Sequence, residues 1–150
     1  MTEWKSADDI LDFAIDNEQH AIDFYRELAA KATKPEVRDL FEEYATEEVG
    51  HKTKLEAVKA GKKLNSLAEK VIDLKLSEYL VDVEPTSNLD YQSALIIAMK
   101  REKAAFRLYS KLAARLDGEL RELFLRLAQE EAKHKLHFEI EYDEHILTEN

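Results

Sequence analysis

The sequence predicts an all-α protein: a four-helix bundle built from two helical hairpins, joined by a long crossover that contains a short helix. Three observations lead there. Only three Gly and two Pro interrupt 150 residues, and a chain so poor in breakers and rich in Ala, Leu, Glu and Lys favours long helices over sheet. Apolar residues recur at three- and four-residue spacings in four stretches. The chain also repeats itself: residues 14–29 (AIDNEQHAIDFYRELA) align with 98–113 (AMKREKAAFRLYSKLA), and 37–52 (VRDLFEEYATEEVGHK) with 120–135 (LRELFLRLAQEEAKHK). Two copies of one hairpin make a pseudo-two-fold bundle.

The first helix spans about 6–33, with Leu11, Ala14, Ile15, Ala21, Ile22, Tyr25, Leu28 and Ala29 forming its apolar stripe. Lys34-Pro35 breaks it, and Pro35 suits the start of the next helix because its missing N–H is not needed there. The second helix, about 35–61, shows Val37, Phe41, Tyr44, Leu55 and Val58. A crossover follows over about 63–89. In it Leu67, Val71 and Leu74 suggest a short amphipathic helix, and Pro85-Thr86-Ser87-Asn88 reads as a loop capping the third helix. Tyr79, Leu80, Val81 and Val83 are apolar for a connector and either cover the bundle or form a subunit contact. The third helix, about 89–116, carries Leu95, Ala98, Ala105, Phe106, Tyr109 and Leu112. Asp117-Gly118 turns the chain, Gly fitting a helix end. The fourth helix, about 118–147, carries Leu120, Phe124, Leu127 and Phe138. All of this reads as one domain over residues 1–150, and the second and third helices then run parallel.

Composition removes several function classes. A formal net charge of −10 argues against nucleic acid, whose phosphates need clustered Lys and Arg. No apolar run approaches the roughly 18 residues of a membrane span, and Met1-Thr2-Glu3-Trp4-Lys5 has no signal-peptide character, so a cytoplasmic location is expected. With no cysteine, thiolate metal sites, disulfides and iron–sulfur clusters held by this chain are excluded.

Within the helical stripes sit charged residues. Glu48–His51 and Glu131–His134 are two copies of Glu-x-x-His, and residues three apart share a helix face. Each is preceded, one helix earlier, by a lone glutamate in line with the stripe: Glu18 and Glu102. Counting from the hairpin breaks, Glu18 lies about 16 residues before and Glu48 about 14 after, while Glu102 and Glu131 lie about 15 and 14 away. At about 1.5 Å per residue each lone glutamate stands level with its Glu-x-x-His partner. Four buried carboxylates at one height repel one another unless they are protonated or neutralised. Two divalent cations balance them, and two imidazoles complete the ligand shell.

We therefore expect Glu18, Glu48, His51, Glu102, Glu131 and His134 to bind two metal ions. Mixed carboxylate and imidazole ligands suit iron, with manganese or zinc as alternatives. Glu48 and Glu131 are the simplest bridging pair, holding ions about 3.5–4 Å apart. Glu18 with His51 completes one metal, and Glu102 with His134 the other. Tyr25 and Tyr109, two turns beyond the lone glutamates, either bond a ligand carboxylate or find another acceptor. Glu47 and Glu130 sit about 100° from the ligand face, in supporting or solvent roles. His137 is a candidate third imidazole outside the core set, and His20 and His145 read as surface residues.

These residues resemble the ferritin-like di-iron superfamily, whose ligand set is a Glu from each of two helices and a Glu-x-x-His from each of the other two. Within it the chain is most similar to the rubrerythrin family, on Glu18…Phe24-Tyr25…Leu28-Ala29, Glu47-Glu48-Val49-Gly50-His51 and Glu130-Glu131-Ala132-Lys133-His134. That resemblance implies a bridged di-iron centre cycling between Fe(II) and Fe(III) and reducing hydrogen peroxide or dioxygen, in a homodimer or larger homo-oligomer. It also implies two departures. Rubrerythrins usually carry another glutamate one turn after the third-helix ligand, where this chain has Ala105, and they commonly append a cysteine-ligated rubredoxin domain that this chain lacks. Electrons would come from a separate donor such as a rubredoxin-like protein. The alternatives are a ferritin-like ferroxidase that handles iron, and a helical interaction protein stapled by metal without redox turnover. A hydroxylase is a further possibility for which the chain carries no recognisable pocket signature.

Overall fold

The computed structural model describes residues 7–61 and 90–149. They form four helices, α1 (Ala7–Lys31), α2 (Pro35–Ala60), α3 (Tyr91–Ala114) and α4 (Gly118–Glu149), and no strand is present among the described residues. The expected crossover helix, the 85–88 capping loop and the apolar residues 79–83 lie outside the described residues.

Local chemistry sets the helix ends. Pro35 opens α2 after Lys34, whose backbone is extended, as proline disfavours a helical residue before it. The cap of α3 is Asp90, whose carboxylate accepts a 2.7 Å hydrogen bond from the Ser93 amide; that donor would otherwise be an orphan of the first turn. Gly118, at φ 63°, makes the left-handed step between α3 and α4, a conformation any Cβ would strain.

α1 packs on α2 and α3 on α4, with a further contact between α1 and α3. Buried side chains fall into two clusters. One joins the start of α1 (Ile10, Leu11) to the ends of α2 (Leu55, Val58) and α3 (Leu108, Leu112) and the start of α4 (Phe124, Leu127). The other joins the end of α1 (Phe24, Leu28) to the starts of α2 (Phe41, Tyr44) and α3 (Leu95, Ala98) and a later part of α4 (Phe138). Each hairpin is therefore antiparallel, and α2 and α3 run in the same direction. The end of α2 and the start of α3 therefore lie at opposite ends of the bundle, about 39 Å apart for helices of this length.

One apolar expectation is corrected. Phe106 is 39% exposed, because at 100° per residue it falls on the flank of the stripe marked by Ala98, Glu102 and Tyr109. Ala105 takes the inner position, packed against the first cluster.

Candidate metal centre

Between the two apolar clusters, in the middle of the bundle, lies a polar layer. Glu18, Glu48, His51, Glu102, Glu131 and His134 fill it, none more than 2% exposed. Each arrives on a helix whose neighbouring turns are anchored in one cluster or the other, so the layer is held from both ends. The i,i+3 spacing sets Glu48 beside His51 on α2, with Glu48 Oε2 3.6 Å from Nδ1 of His51.

Donor atoms converge in two overlapping groups. Atoms of Glu18, Glu48, His51 and Glu131 lie within 4.8 Å of one another, and so do atoms of Glu48, Glu102, Glu131 and His134. Glu48 and Glu131 belong to both groups. Nδ1 of His51 is 2.7 Å from Glu131, 3.1 Å from Glu18 and 3.6 Å from Glu48. Nδ1 of His134 is 3.0 Å from Glu48 and 3.7 Å from Glu102.

The far nitrogens explain why Nδ1 faces inward on both rings. Nε2 of His134 donates to Glu47 at 3.0 Å, and Nε2 of His51 donates to Glu130. A carboxylate only accepts, so Nε2 carries a proton on both rings, and Nδ1 is the nitrogen left to face the inner carboxylates, through a proton or through a cation that displaces it. The pairing is reciprocal: the α2 glutamate supports the α4 histidine and the α4 glutamate supports the α2 histidine. Glu47 and Glu130 are each about one-third exposed, so their own charge stays solvated.

Despite these close approaches, seven buried atoms in this layer make no well-aligned hydrogen bond: Glu18 Oε2, both Glu48 oxygens, Glu102 Oε2, Glu131 Oε1 and the two Nδ1 atoms. Buried acceptors facing acceptors are costly unless a proton or a cation lies between them. Without a cation, burial and then the neighbouring Glu48 carboxylate push the Glu18 carboxyl well above its usual range. Glu131 is raised in the same way, by burial and then by Glu102 and Glu18. Burial opposes charge on His134, but the Glu102 and Glu48 carboxylates outweigh it and push the imidazole up to about 11. His51 is likewise raised, burial being outweighed by Glu131, Glu18 and Glu48. The layer thus gathers protons where two divalent cations would restore charge balance, and this donor set fits such ions.

Tyrosines bridge the halves. The Tyr25 hydroxyl donates to Glu102, and the Tyr109 hydroxyl engages Glu18, so each ties to the lone glutamate of the opposite hairpin. Burial, followed by the charge of Glu18, raises the Tyr109 phenol well above its usual value, keeping it a donor. His137 enters neither converging group; its Nδ1 is bonded to the Tyr44 hydroxyl. His20 is exposed. His145 is half-buried, its ring centroid 5.1 Å from that of Tyr91. Sequence reasoning placed Tyr44 in the core and missed its contact with the site, where its ring stacks on His134 at 4.2 Å. The usable signal was its position one helical turn before Glu48.

A family model described as rubrerythrin matches residues 9–142. A crystal structure from Thermotoga maritima, described as a ferritin-like diiron-carboxylate protein, is 22% identical, covering 96% of this chain and 99% of that chain with a TM-score of 0.77. At that identity the likeness speaks for the fold, a ferritin-like four-helix bundle. Among curated proteins none matches.

Proposed function

The chain belongs to the rubrerythrin family, and from that premise we propose a di-iron oxidoreductase that reduces hydrogen peroxide or dioxygen with electrons from a separate donor. The observation that carries this reading is the convergence of seven buried ligand atoms without a well-aligned hydrogen bond on Glu18, Glu48, His51, Glu102, Glu131 and His134. Manganese, also redox-active, and zinc, which is not, would satisfy the same charge; mixed carboxylate and imidazole ligation suits iron first.

In this reading Glu48 and Glu131, shared by both donor groups, would help to hold both ions. Glu18 with His51 and Glu102 with His134 complete the two positions. When bound, two ferrous ions supply the electron pair that cleaves an O–O bond. The chain's residues keep the site dry and in place: the apolar clusters seal it above and below, and Glu47 and Glu130 orient the imidazoles. Tyr25 and Tyr109 hold protons at their phenol oxygens beside Glu102 and Glu18, positions from which a buried oxygen atom could be protonated.

A second reading is favoured by Ala105, which is partly buried beside the layer and offers only a methyl group. With no further carboxylate there, the site would serve iron oxidation and handling as in ferritins. Anaerobic loading with Fe(II), followed by peroxide or by air, separates the readings. Rapid ferric absorbance on adding peroxide, and turnover once a reductase and a rubredoxin-like carrier are supplied, supports the oxidoreductase. Failure to turn over with any donor removes it. The ferritin-like reading needs a hollow multi-subunit shell, and a dimer on a sizing column eliminates that.

A further inference from the structure

The duplication that builds the site is broken at one place. Tyr25 pairs with Tyr109, Glu47 with Glu130, Glu48 with Glu131 and His51 with His134, but Tyr44 corresponds to Leu127 and His137 to the exposed Lys54. Beside His134 there is therefore an aromatic layer whose equivalent position beside His51 holds an aliphatic side chain.

The geometry of that layer is specific. The Tyr44 ring, 2% exposed, lies on the His134 imidazole with centroids 4.2 Å apart and planes 28° apart. Its hydroxyl is bonded to Nδ1 of His137, whose ring lies 5.7 Å away and 9° from parallel. Phe138 closes the edge of Tyr44 at 5.5 Å and 81°. His134 is thus held on its face by Tyr44 and at Nε2 by Glu47. Among the described residues, His51 has the matching glutamate, and its one ring neighbour is His134 itself, at 6.3 Å.

We propose that Tyr44, anchored by His137, is a positioning residue that makes the two metal positions unequal, pre-organising the His134 position so that it binds an ion more tightly than the His51 position. The inference rests on the di-metal reading above but not on any redox activity. Its physical basis is that a ligand held in its binding orientation loses less freedom when the ion arrives. Groups that orient a metal-bound histidine typically change metal affinity about 10–100-fold. The His51 position is then the one whose ion comes and goes.

A double-mutant cycle with Co(II), followed by its visible absorption and by calorimetry, tests this. His51→Ala leaves the His134 position as the sole complete one, and His134→Ala leaves the His51 position. The expected result is that Tyr44→Leu weakens Co(II) binding by about tenfold or more in the His51→Ala background, and alters its absorption bands there. In the His134→Ala background it leaves the affinity within about twofold. Tyr44→Phe, which keeps the ring but loses its anchor, falls between. Equal weakening in both backgrounds, or none in either, overturns the proposal. Should Tyr44→Leu lose its helical circular dichroism, His137→Leu takes its place and must show the same one-sided weakening. If the unmodified protein binds no Co(II), the di-metal reading itself fails, an outcome distinct from two ions bound without preference.

Discussion

Nε2 of His134 on α4 donates to the Glu47 carboxylate on α2, 3.0 Å away, and that one bond turns the Nδ1 edge of the ring toward Glu48 and Glu102. The carboxylate is one-third exposed, so it fixes a buried group from a solvated position. Glu47→Ala should leave the fold intact and weaken metal binding about 10–100-fold. Glu47→Gln should fall between, because its amide oxygen still accepts while its charge is gone. Competition against a chromogenic chelator measures both. An affinity unchanged by Glu47→Ala would mean that packing alone orients His134.

Glu48 contributes atoms to both donor groups, whereas Glu18 contributes to one. Glu48→Gln should therefore lower the metal content of the purified protein from about two ions per chain to less than one, and Glu18→Gln to about one. Elemental analysis after gel filtration distinguishes them. Equal losses from the two variants would argue against a bridging role for Glu48.

The metal-free protein should lose stability as pH rises. Glu18 and Glu131 have carboxyls raised by burial and neighbouring charge, so between the unfolded value of about 4.3 and the raised native value the folded state holds more protons than the unfolded one. Stability falls with pH wherever that is so. His134, raised to about 11 by its carboxylate neighbours against burial, adds stability that is fully present below about 6.5 and is lost as pH rises through the native value. Both groups act in the same direction between pH 5 and 8. Metal binding displaces these protons and so strengthens with pH. Thermal unfolding with and without chelator should show the metal-free midpoint falling from pH 5 to 8 while the gap to the loaded protein widens. A metal-free midpoint that climbs over this range would contradict the assigned directions.

Gly50 lies in the middle of α2, between Glu48 and His51, and a Cβ added there meets nothing within 4 Å. Gly50→Ala should stabilise the protein by about 0.5–1 kcal/mol by restricting the unfolded chain. Gly118 is equally open, but its φ of 63° makes Gly118→Ala destabilising by about 1–2 kcal/mol. Urea unfolding of the two variants should move the midpoints in opposite directions. A destabilised Gly50→Ala would show that α2 needs freedom between Glu48 and His51.

Much of this architecture was readable in the chain because helical order is a local property. The three- and four-residue spacing of Leu11, Ala14, Ile22 and Tyr25 marks a buried face without reference to any partner. The alignment of 14–29 with 98–113 extends that reading to the second hairpin. The same local regularity failed at Phe106, where one residue's turn of 100° decides between core and solvent.

By itself the sequence determined four helices, their pairing into hairpins, and the common height of Glu18, Glu48, His51, Glu102, Glu131 and His134, because rise per residue and turn position are counted along one strand of chain. Tertiary structure decided what crosses between helices: Glu47 to His134, Glu130 to His51, Tyr25 to Glu102 and Tyr44 onto the face of His134. Those partners depend on how far each helix rotates and leans against its neighbour. That is set by the sum of many apolar contacts in the two core clusters, which no local spacing encodes.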